Sequence, residues 1–183
     1  MAYRVAILGH SQVPRSIPMP ESIQVRIFRR SGARLDLIND YEEFREFFSW
    51  EHEHNVIFIG GNDLTLRSNA LTPQDVSGRL INLCQSLHEK GQTVSLCQIE
   101  PRRYPNSVLN RFYARSQEIV NRRLKNYIRN RRNIYRLINF NTTPFAEGHL
   151  PDGVHFKPLI QEWIKDKMAH AILYYRDEYE AAQ

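Results

Sequence analysis

The sequence of 183 residues predicts a three-layer α/β/α sandwich, in which helices cover both faces of a five-stranded parallel sheet. Short apolar segments alternate along the chain with longer segments whose apolar residues recur at helical spacing, an order typical of parallel sheets. Most of the short segments are uninterruptedly apolar, as expected of strands buried on both faces. No repeat, low-complexity stretch or linker divides the chain, so a single domain over residues 1–183 is predicted.

The strands are predicted from short runs that end at turn residues. The first contains Val-Ala-Ile-Leu and stops at Gly9, and the third is closed by Gly60 and Gly61. The second alternates Ile, Val and Ile with polar partners, which is the side-chain period of a strand. The five strands are predicted at residues 4–8, 23–28, 56–59, 94–99 and 134–138.

The helices are predicted from apolar spacing and from capping residues. Thr72 followed by Pro73 is typical of a helix start, because Thr caps free N–H groups and Pro is tolerated at the first helical position. Gly91 ends the same helix. The predicted helices cover residues 41–48, 73–90, 107–130, and 157 to 175 or beyond.

Composition excludes several classes of protein. A hydrophobic content of 42% is too high for a disordered chain, and no apolar run approaches the roughly 18 residues of a membrane span. Cys84 and Cys97 are too few for a disulfide framework or a zinc site, and we expect both in the core of a protein in a reducing compartment. The chain starts on a strand without a signal region, which predicts an intracellular location, cytoplasmic or nuclear. The same start also fits a domain cut from a longer protein.

Four loops carry the residues that suggest chemistry. Three of them follow predicted strands, and the fourth precedes the last predicted helix. Because ligands bind at the carboxyl ends of parallel strands, we expect these loops to meet at one edge of the sheet. They are Gly9-His10-Ser11, Gly32, Gly60-Gly61-Asn62-Asp63 and Asp152-Gly153-Val154-His155.

Ser11, His155 and Asp152 are candidates for nucleophilic catalysis. A serine hydroxyl needs a base to remove its proton, and a histidine held by a carboxylate supplies one. Each residue also has an ordinary interpretation when taken alone: Ser11 as a helix cap, Asp152 as a turn residue and His155 as a surface residue. Only their joint occurrence in these loops favours the catalytic interpretation.

Ser11, Gly32 and Asn62 are candidates for stabilising a developing oxyanion. The backbone N–H groups of Ser11 and Gly32 and the side-chain amide of Asn62 are donors of the kind that such a site needs. At position 32 a side chain would block close approach, which favours Gly. The ordinary interpretation is that Gly32 and Asn62 are turn residues.

Together, the four loops resemble the blocks of the SGNH (GDSL-type) hydrolase family, and the resemblance spans residues 5–156. It implies a flavodoxin-like sandwich with Ser11 as nucleophile, His155 as base and Asp152 orienting His155. It also implies an oxyanion hole of Ser11, Gly32 and Asn62, and hydrolysis of a carboxylic ester through an acyl-enzyme. A small ester or acetylated substrate with a short acyl group is expected, since no lid or extra apolar domain is visible. Asp63 is expected to support its loop by hydrogen bonding.

No metal or organic cofactor is implied. His52 and His54 could be interpreted as metal ligands, but a third ligand at suitable spacing is missing, which favours a solvated loop. The first block departs from the family pattern, because His10 replaces the usual Asp. This Gly-His-Ser variant, the basic helix described next and the missing signal together resemble the esterase-like domains of animal retrotransposon proteins, including first-reading-frame proteins of LINE elements.

The basic residues concentrate in one segment. Residues 101–136 hold 11 of the 25 cations and a single acid, Glu118, which leaves the rest of the chain net negative. Five of these cations fall on one stripe of the helix at 107–130: Arg111, Arg115, Arg122, Lys125 and Arg129. Phe112 and Tyr113 are among the residues predicted to face the core on the opposite side. The positive charge of this helix continues beyond both of its ends, through Arg102, Arg103, Arg131, Arg132 and Arg136.

The stripe has two interpretations that the sequence does not separate. It is either a solvated helix face or a contact surface for nucleic acid or an anionic membrane. The second interpretation carries an alternative function, that of a polyanion-binding module on the same scaffold with weak or no catalysis. The oligomeric state is not predicted.

Overall fold

Five parallel strands form one sheet in the computed structural model, which describes residues 2–65, 70–140 and 148–183. Their order across the sheet is β2-β1-β3-β4-β5. The predicted number and direction of the strands are confirmed, and each bound lies within two residues of its predicted position. The strands are β1 (Tyr3–Gly9), β2 (Ile23–Arg29), β3 (His54–Phe58), β4 (Thr93–Cys97) and β5 (Tyr135–Ile138).

The register of the central strands brings their carboxyl ends to one edge. Gly9 at the end of β1 pairs with Arg29 on one side and with Phe58 on the other. The loops after these strands therefore leave the sheet side by side. β5 lies at the outer edge and pairs only with β4 among the described strands.

Four α-helices connect or follow the strands: α1 (Arg45–Ser49), α2 (Pro73–Glu89), α3 (Ser107–Ile128) and α4 (Pro158–Ala181). Thr72 caps α2 as predicted, because its hydroxyl accepts a hydrogen bond from the Asp75 N–H at 3.1 Å. The predicted helix at 41–48 is shorter than expected, since its first turn, Glu42–Phe44, is a 3₁₀ turn.

The apolar residues form two cores, one on each face of the sheet. Helices α1, α2 and α3 pack on the face that carries Ala6 and Leu8. The opposite face carries Val5 and Ile7 and packs against α4. The three-layer sandwich is thereby confirmed, with α4 as the main helix of its layer.

Two predictions about burial are wrong. His52 and His54 do not lie in a solvated loop: both are buried, and His54 belongs to β3. The hydroxyls of Thr93 and Ser95 lie 2.7 and 2.9 Å from the two ring nitrogens of His54, which gives this polar ring partners inside the sheet. Phe112, predicted to face the core, is 37% exposed on α3.

The described ranges hold neither a membrane span nor a metal cluster. No helix in residues 2–65, 70–140 and 148–183 is long and apolar enough to cross a membrane. The same ranges contain no group of three His, Cys, Asp or Glu side chains that could hold a metal ion.

Candidate active site

Ser11, His155 and Asp152 form a continuous chain of contacts at the carboxyl edge of the sheet. The Ser11 hydroxyl lies 3.3 Å from Nε2 of His155. On the far side of the ring, Nδ1 lies 2.5 Å from Oδ2 of Asp152. The structure therefore brings Ser11 to a histidine that lies 144 positions later in the sequence.

Asp152 is also the residue that shapes the histidine loop. Its Oδ1 accepts hydrogen bonds from the N–H groups of Val154 at 2.8 Å and His155 at 2.9 Å. The hydrogen bond to the His155 ring is the main cause that lowers the pKa of Asp152 to about 2, and the two backbone N–H groups act in the same direction. Asp152 is thus a carboxylate at neutral pH and accepts the His155 Nδ1–H.

Two further side chains, Arg29 and Gln12, hold the loop that carries Ser11 in place. The Arg29 guanidinium donates to the carbonyl oxygens of Ser11 at 2.7 Å and Val13 at 2.9 Å. The Gln12 side-chain amide donates to the Val154 carbonyl at 2.7 Å, which ties the Ser11 loop to the His155 loop. Arg29 was not predicted from the sequence, although its position at the end of β2 is a signal for it.

The three candidate oxyanion donors lie in neighbouring loops. In the described part of the chain, the backbone N–H groups of Ser11 and Gly32 have no hydrogen-bond acceptor. Gly32 has a φ of +70°, a conformation that favours Gly. The Asn62 amide donates one N–H to the carbonyl of Ala33, the residue after Gly32, at 2.9 Å. Its second N–H has no partner among the described residues.

Arg102 determines which way the Asn62 amide points. Its Nη2 lies 2.9 Å from the Asn62 Oδ1. A guanidinium has donors only, so the amide oxygen must face Arg102 and the amide nitrogen must face Ala33. Arg102 therefore positions the donor of the candidate oxyanion hole.

Arg102 belongs to a buried network of charged and polar side chains that reaches the loop carrying Ser11. Its Nη2 donates to Oε1 of Glu100 at 2.8 Å, and Oε2 of Glu100 lies 3.3 Å from Nε2 of His10. The Gln12 N–H donates to Nδ1 of His10 at 3.1 Å. Because Nδ1 accepts this bond, it carries no proton, and Nε2–H donates to Glu100. The network thus runs from the residue before Ser11 to Asn62.

Glu100 is a buried carboxylate between His10 and Arg102. Burial alone would raise the pKa of Glu100, but the adjacent His10 and Arg102 side chains outweigh burial and lower it to about 2. Gly61 allows this arrangement, because a side chain at position 61 would collide with the Glu100 carboxylate and the Arg102 guanidinium. An acid from the loop after β4 therefore lies beside His10 of the first block.

The prediction that Arg102 extends the basic helix surface is wrong. Arg102 is 8% exposed and ion-paired with Glu100, so it is not part of a basic surface. The signal for this network was available: Glu100-Pro101-Arg102 follows the predicted fourth strand, at the edge where the other loops meet.

Asp63 supports the loop that carries Asn62, as expected. Both of its carboxylate oxygens lie 3.0 Å from the backbone N–H of Leu35. Burial raises the pKa of Asp63 to about 6, despite the opposing effects of that N–H and of the nearby Arg34. The bond from Leu35 fastens the Asn62 loop to the loop that contains Gly32.

A cavity of about 410 Å³ opens beside Ser11 and His155. Its lining is mainly polar, and the apolar contribution comes from Val13, Pro14 and Leu150. The polar and charged lining residues include Arg15, Ser16, Arg29, Gln161, Glu162 and Lys165. Gly32 and Asn62 are not among the residues that line this cavity.

The basic stripe predicted on α3 divides into two parts. All five stripe residues are exposed, and in the described ranges none has an acidic partner within 4.0 Å. Arg111 and Arg115 lie in the first half of α3. Arg122, Lys125 and Arg129 lie in the second half and line cavities beside β4 and β5.

Comparisons with known proteins give matches in structure only. No family model matches the sequence, and no curated protein matches it. A candidate SGNH hydrolase from Slackia heliotrinireducens matches with a TM-score of 0.65 and 18% identity over 93% of this chain and 98% of that one. The esterase EstA from Pseudoalteromonas, solved with monoethylphosphonate as inhibitor, matches with a TM-score of 0.66. The two chains are 16% identical over 96% of this chain and 100% of that one.

An acetyl xylan esterase, AlAXEase, also matches, with a TM-score of 0.65 and 18% identity over 92% of this chain and 98% of that one. None of these comparisons supports the narrower resemblance to retrotransposon proteins, which stays a prediction from sequence. At these identities the matches establish the architecture, and the chain has the α/β sandwich fold of the SGNH hydrolases.

Proposed function

We propose that this protein is an SGNH-type serine esterase that hydrolyses a carboxylic ester with a short acyl group. The contact chain Ser11–His155–Asp152 at the carboxyl edge of the sheet is the observation that carries this proposal. A serine, a histidine and a carboxylate in this order of contacts are the components of nucleophilic acyl transfer. The structural neighbours, which include esterases, support the same class of reaction.

In the proposed reaction, His155 Nε2 removes the Ser11 hydroxyl proton while Oγ attacks the ester carbonyl. The negative charge of the tetrahedral intermediate is stabilised by the N–H groups of Ser11 and Gly32 and by the Asn62 amide. His155 then donates its proton to the departing alcohol, and an acyl-Ser11 ester is left. Water attacks this ester with His155 again as base, which releases the acid and restores Ser11.

Asp152 and Arg102 act on this reaction through other residues. Asp152 is ionised and holds the Nδ1–H tautomer of His155, which leaves Nε2 free to accept the Ser11 proton. Arg102 holds the Asn62 oxygen, which directs the amide nitrogen toward the Gly32 loop. Both are positioning residues in this proposal.

The cavity beside Ser11 supports a short acyl group. A long acyl chain needs an extended apolar channel, whereas Val13, Pro14 and Leu150 are the apolar side chains that line this space. The mainly polar lining suits a small or polar ester. The acetyl xylan esterase among the structural neighbours is consistent with an acetyl group.

Fluorophosphonate labelling tests the proposal. The reagent phosphonylates an activated serine, and peptide mass spectrometry locates the adduct. Ser16 is a matched internal control, because it is exposed and lines the same cavity without a histidine contact in the described ranges. We expect an adduct on Ser11, loss of aryl acetate hydrolysis in Ser11→Ala, and unchanged hydrolysis in Ser16→Ala.

Two results would contradict the proposal. One is hydrolysis by Ser11→Ala at the rate of the parent, with folding checked by circular dichroism. The other is a protein that folds, takes up no fluorophosphonate and hydrolyses no ester across a series of acyl lengths. The second result would favour a binding module on this scaffold.

A further inference from the structure

We infer that a groove along β5, lined by Lys125, Arg129, Arg132, Arg136 and Tyr174, binds the phosphodiester backbone of a single-stranded nucleic acid. We call this surface the β5 groove. It has a volume of about 410 Å³ and lies between the end of α3, the edge strand β5 and α4. Four of its lining side chains are cations, and none of the described lining residues is an acid.

The charges in the β5 groove have no acidic partners. In the part of the chain that the structure describes, Lys125, Arg129, Arg132 and Arg136 make no ion pair within 4.0 Å. Arg129 donates a hydrogen bond to the neutral side chain of Asn126 at 3.0 Å. Like charges gathered in a concave surface repel one another and raise the local positive potential, which bound anions would relieve.

The same surface continues along α3 toward the end of β4. Lys125 lines both the β5 groove and a second cavity of about 340 Å³, which Arg122 and Gln117 also line. Glu118 lines this second cavity but forms no ion pair within 4.0 Å in the described ranges. Arg122 and Arg129 are separated by seven residues, or about 10 Å along the helix. An elongated ligand with repeated negative charges fits this run better than a single phosphate does.

The shape and the aromatic content favour a nucleic acid strand over a membrane. A bilayer surface is met by a convex basic face with apolar side chains that insert between lipids. The β5 groove is concave, and Tyr174 is its only large hydrophobic side chain with more than a third of its surface exposed among the described residues. The Arg136 guanidinium lies over the Tyr174 ring at 4.7 Å from its centroid. Bases stack on such rings and guanidinium planes, and stacking requires unpaired bases.

Fluorescence anisotropy with labelled oligouridylate and oligothymidylate of equal length tests this inference at several KCl concentrations. The test variant is Arg129→Gln/Arg132→Gln/Arg136→Gln. A matched control, Arg79→Gln/Arg111→Gln/Arg115→Gln, removes the same net charge from exposed positions outside the β5 groove. Far-UV circular dichroism serves as the folding check for both variants, and neither set includes a residue of the candidate active site.

We expect the test variant to lose affinity by about tenfold or more. Its log–log salt slope should become shallower by about 0.7 for each phosphate that the variant no longer binds. The control should bind within about twofold of the parent, since it retains every cation of the groove. Preference for one oligonucleotide over the other would identify RNA or DNA as the source of the strand.

Three results would overturn the inference. The first is an equal loss of affinity in both variants, which would show that binding depends on the net charge of the protein and not on the β5 groove. The second is parental affinity in the test variant. The third is binding to phosphatidylserine vesicles that depends on the β5 groove, without binding to either oligonucleotide. Each of these results is separable from the esterase proposal, because Ser11 labelling is measured independently on the same proteins.

Discussion

The candidate active site and the β5 groove both contain several charged side chains, but these side chains differ in burial and in pairing. At the candidate active site, Glu100 and Arg102 are buried, and each makes charge-assisted hydrogen bonds. In the β5 groove, Arg129 and Arg136 are exposed and without acidic partners in the described ranges. A buried charge must be paired inside the protein, whereas an exposed charge is stabilised by water.

This difference separates residues that hold the fold and site together from residues that are available to a ligand. Arg102 has its donors committed to Glu100, Asn62, Thr65 and Tyr104. Its removal should therefore disturb both stability and the Asn62 donor. The groove cations contribute little to folding, so their removal should disturb only binding. The following predictions test this contrast, beginning with the largest expected effect.

Removing Arg102 should have the largest effect. In Arg102→Met, the buried Glu100 carboxylate loses its cationic partner and keeps the contact with His10, and the Asn62 oxygen loses its donor. Breaking a buried pair in this way typically destabilises a protein by about 3–5 kcal/mol. Urea unfolding should show this loss, and kcat for aryl acetates should fall.

The double variant Glu100→Gln/Arg102→Met separates the two roles of Arg102. It removes both charges and keeps an acceptor for His10, so much of the stability should return. The kcat should stay low, because the Asn62 amide is still without the donor that orients it. A double variant that regains kcat together with stability would show that Arg102 acts on the fold alone.

The Asn62 amide is tested next with an isosteric change. Asn62→Asp keeps an oxygen for Arg102 to bind and replaces the amide donor by a second oxygen. Loss of one oxyanion donor typically lowers kcat by about 10²–10³-fold, so kcat should fall strongly while KM stays nearly constant. Asn126→Asp, an exposed change on α3, is the control. A change in KM alone would instead assign Asn62 to substrate binding.

The next largest expected effect is a change in the stability of the protein with pH. The pKa of Glu100 is lowered to about 2 in the folded protein, so the unfolded chain takes up the proton first as the pH falls. The stability that Glu100 contributes is present above its unfolded pKa of about 4.5 and is lost as the pH falls toward 2.

This contribution is isolated by subtracting the unfolding free energy of Glu100→Gln from that of the parent at each pH. The difference should be constant above about pH 5 and should shrink below it. The test variant of the β5 groove provides the contrast, because arginines do not titrate in this range. A Glu100→Gln difference that does not change with pH would mean that Glu100 is not ionised in the folded protein.

The smallest expected effect is on the stability of the β5 groove variant. Exposed substitutions away from packed features usually change stability by within about 0.5 kcal/mol. At low salt, Arg129→Gln/Arg132→Gln/Arg136→Gln should be slightly more stable than the parent, because it relieves repulsion among like charges. Urea unfolding at two salt concentrations measures this. A loss comparable to that of Arg102→Met would remove the distinction between the two regions.

Much of the fold was predictable because its signals are local. The apolar run before Gly9 and the Thr72-Pro73 cap indicate where a strand ends and where a helix begins, and both are present in the structure. His54 shows where local signals fail. A histidine looks polar in sequence, and only the hydroxyls of Thr93 and Ser95 in the neighbouring strand make its burial in β3 possible.

The candidate site was predictable to the extent that it depends on strand ends. Because the carboxyl ends of parallel strands share an edge, the sequence alone predicts that Ser11, Gly32 and Asn62 lie near one another. The positions of Glu100 and Arg29 depend on contacts between loops that are distant in sequence. No spacing rule joins Glu100 to His10, which lies 90 residues earlier.

Residue type and local spacing are enough to predict the alternation of strands and helices, the loops that carry Ser11, Gly32, Asn62 and His155, and the concentration of cations between residues 101 and 136. They do not predict which of those cations are buried and paired, as Arg102 is, and which line a groove, as Arg129 does. Desolvation and the choice of an ionic partner depend on neighbours in space, and a linear pattern of charge does not contain those neighbours.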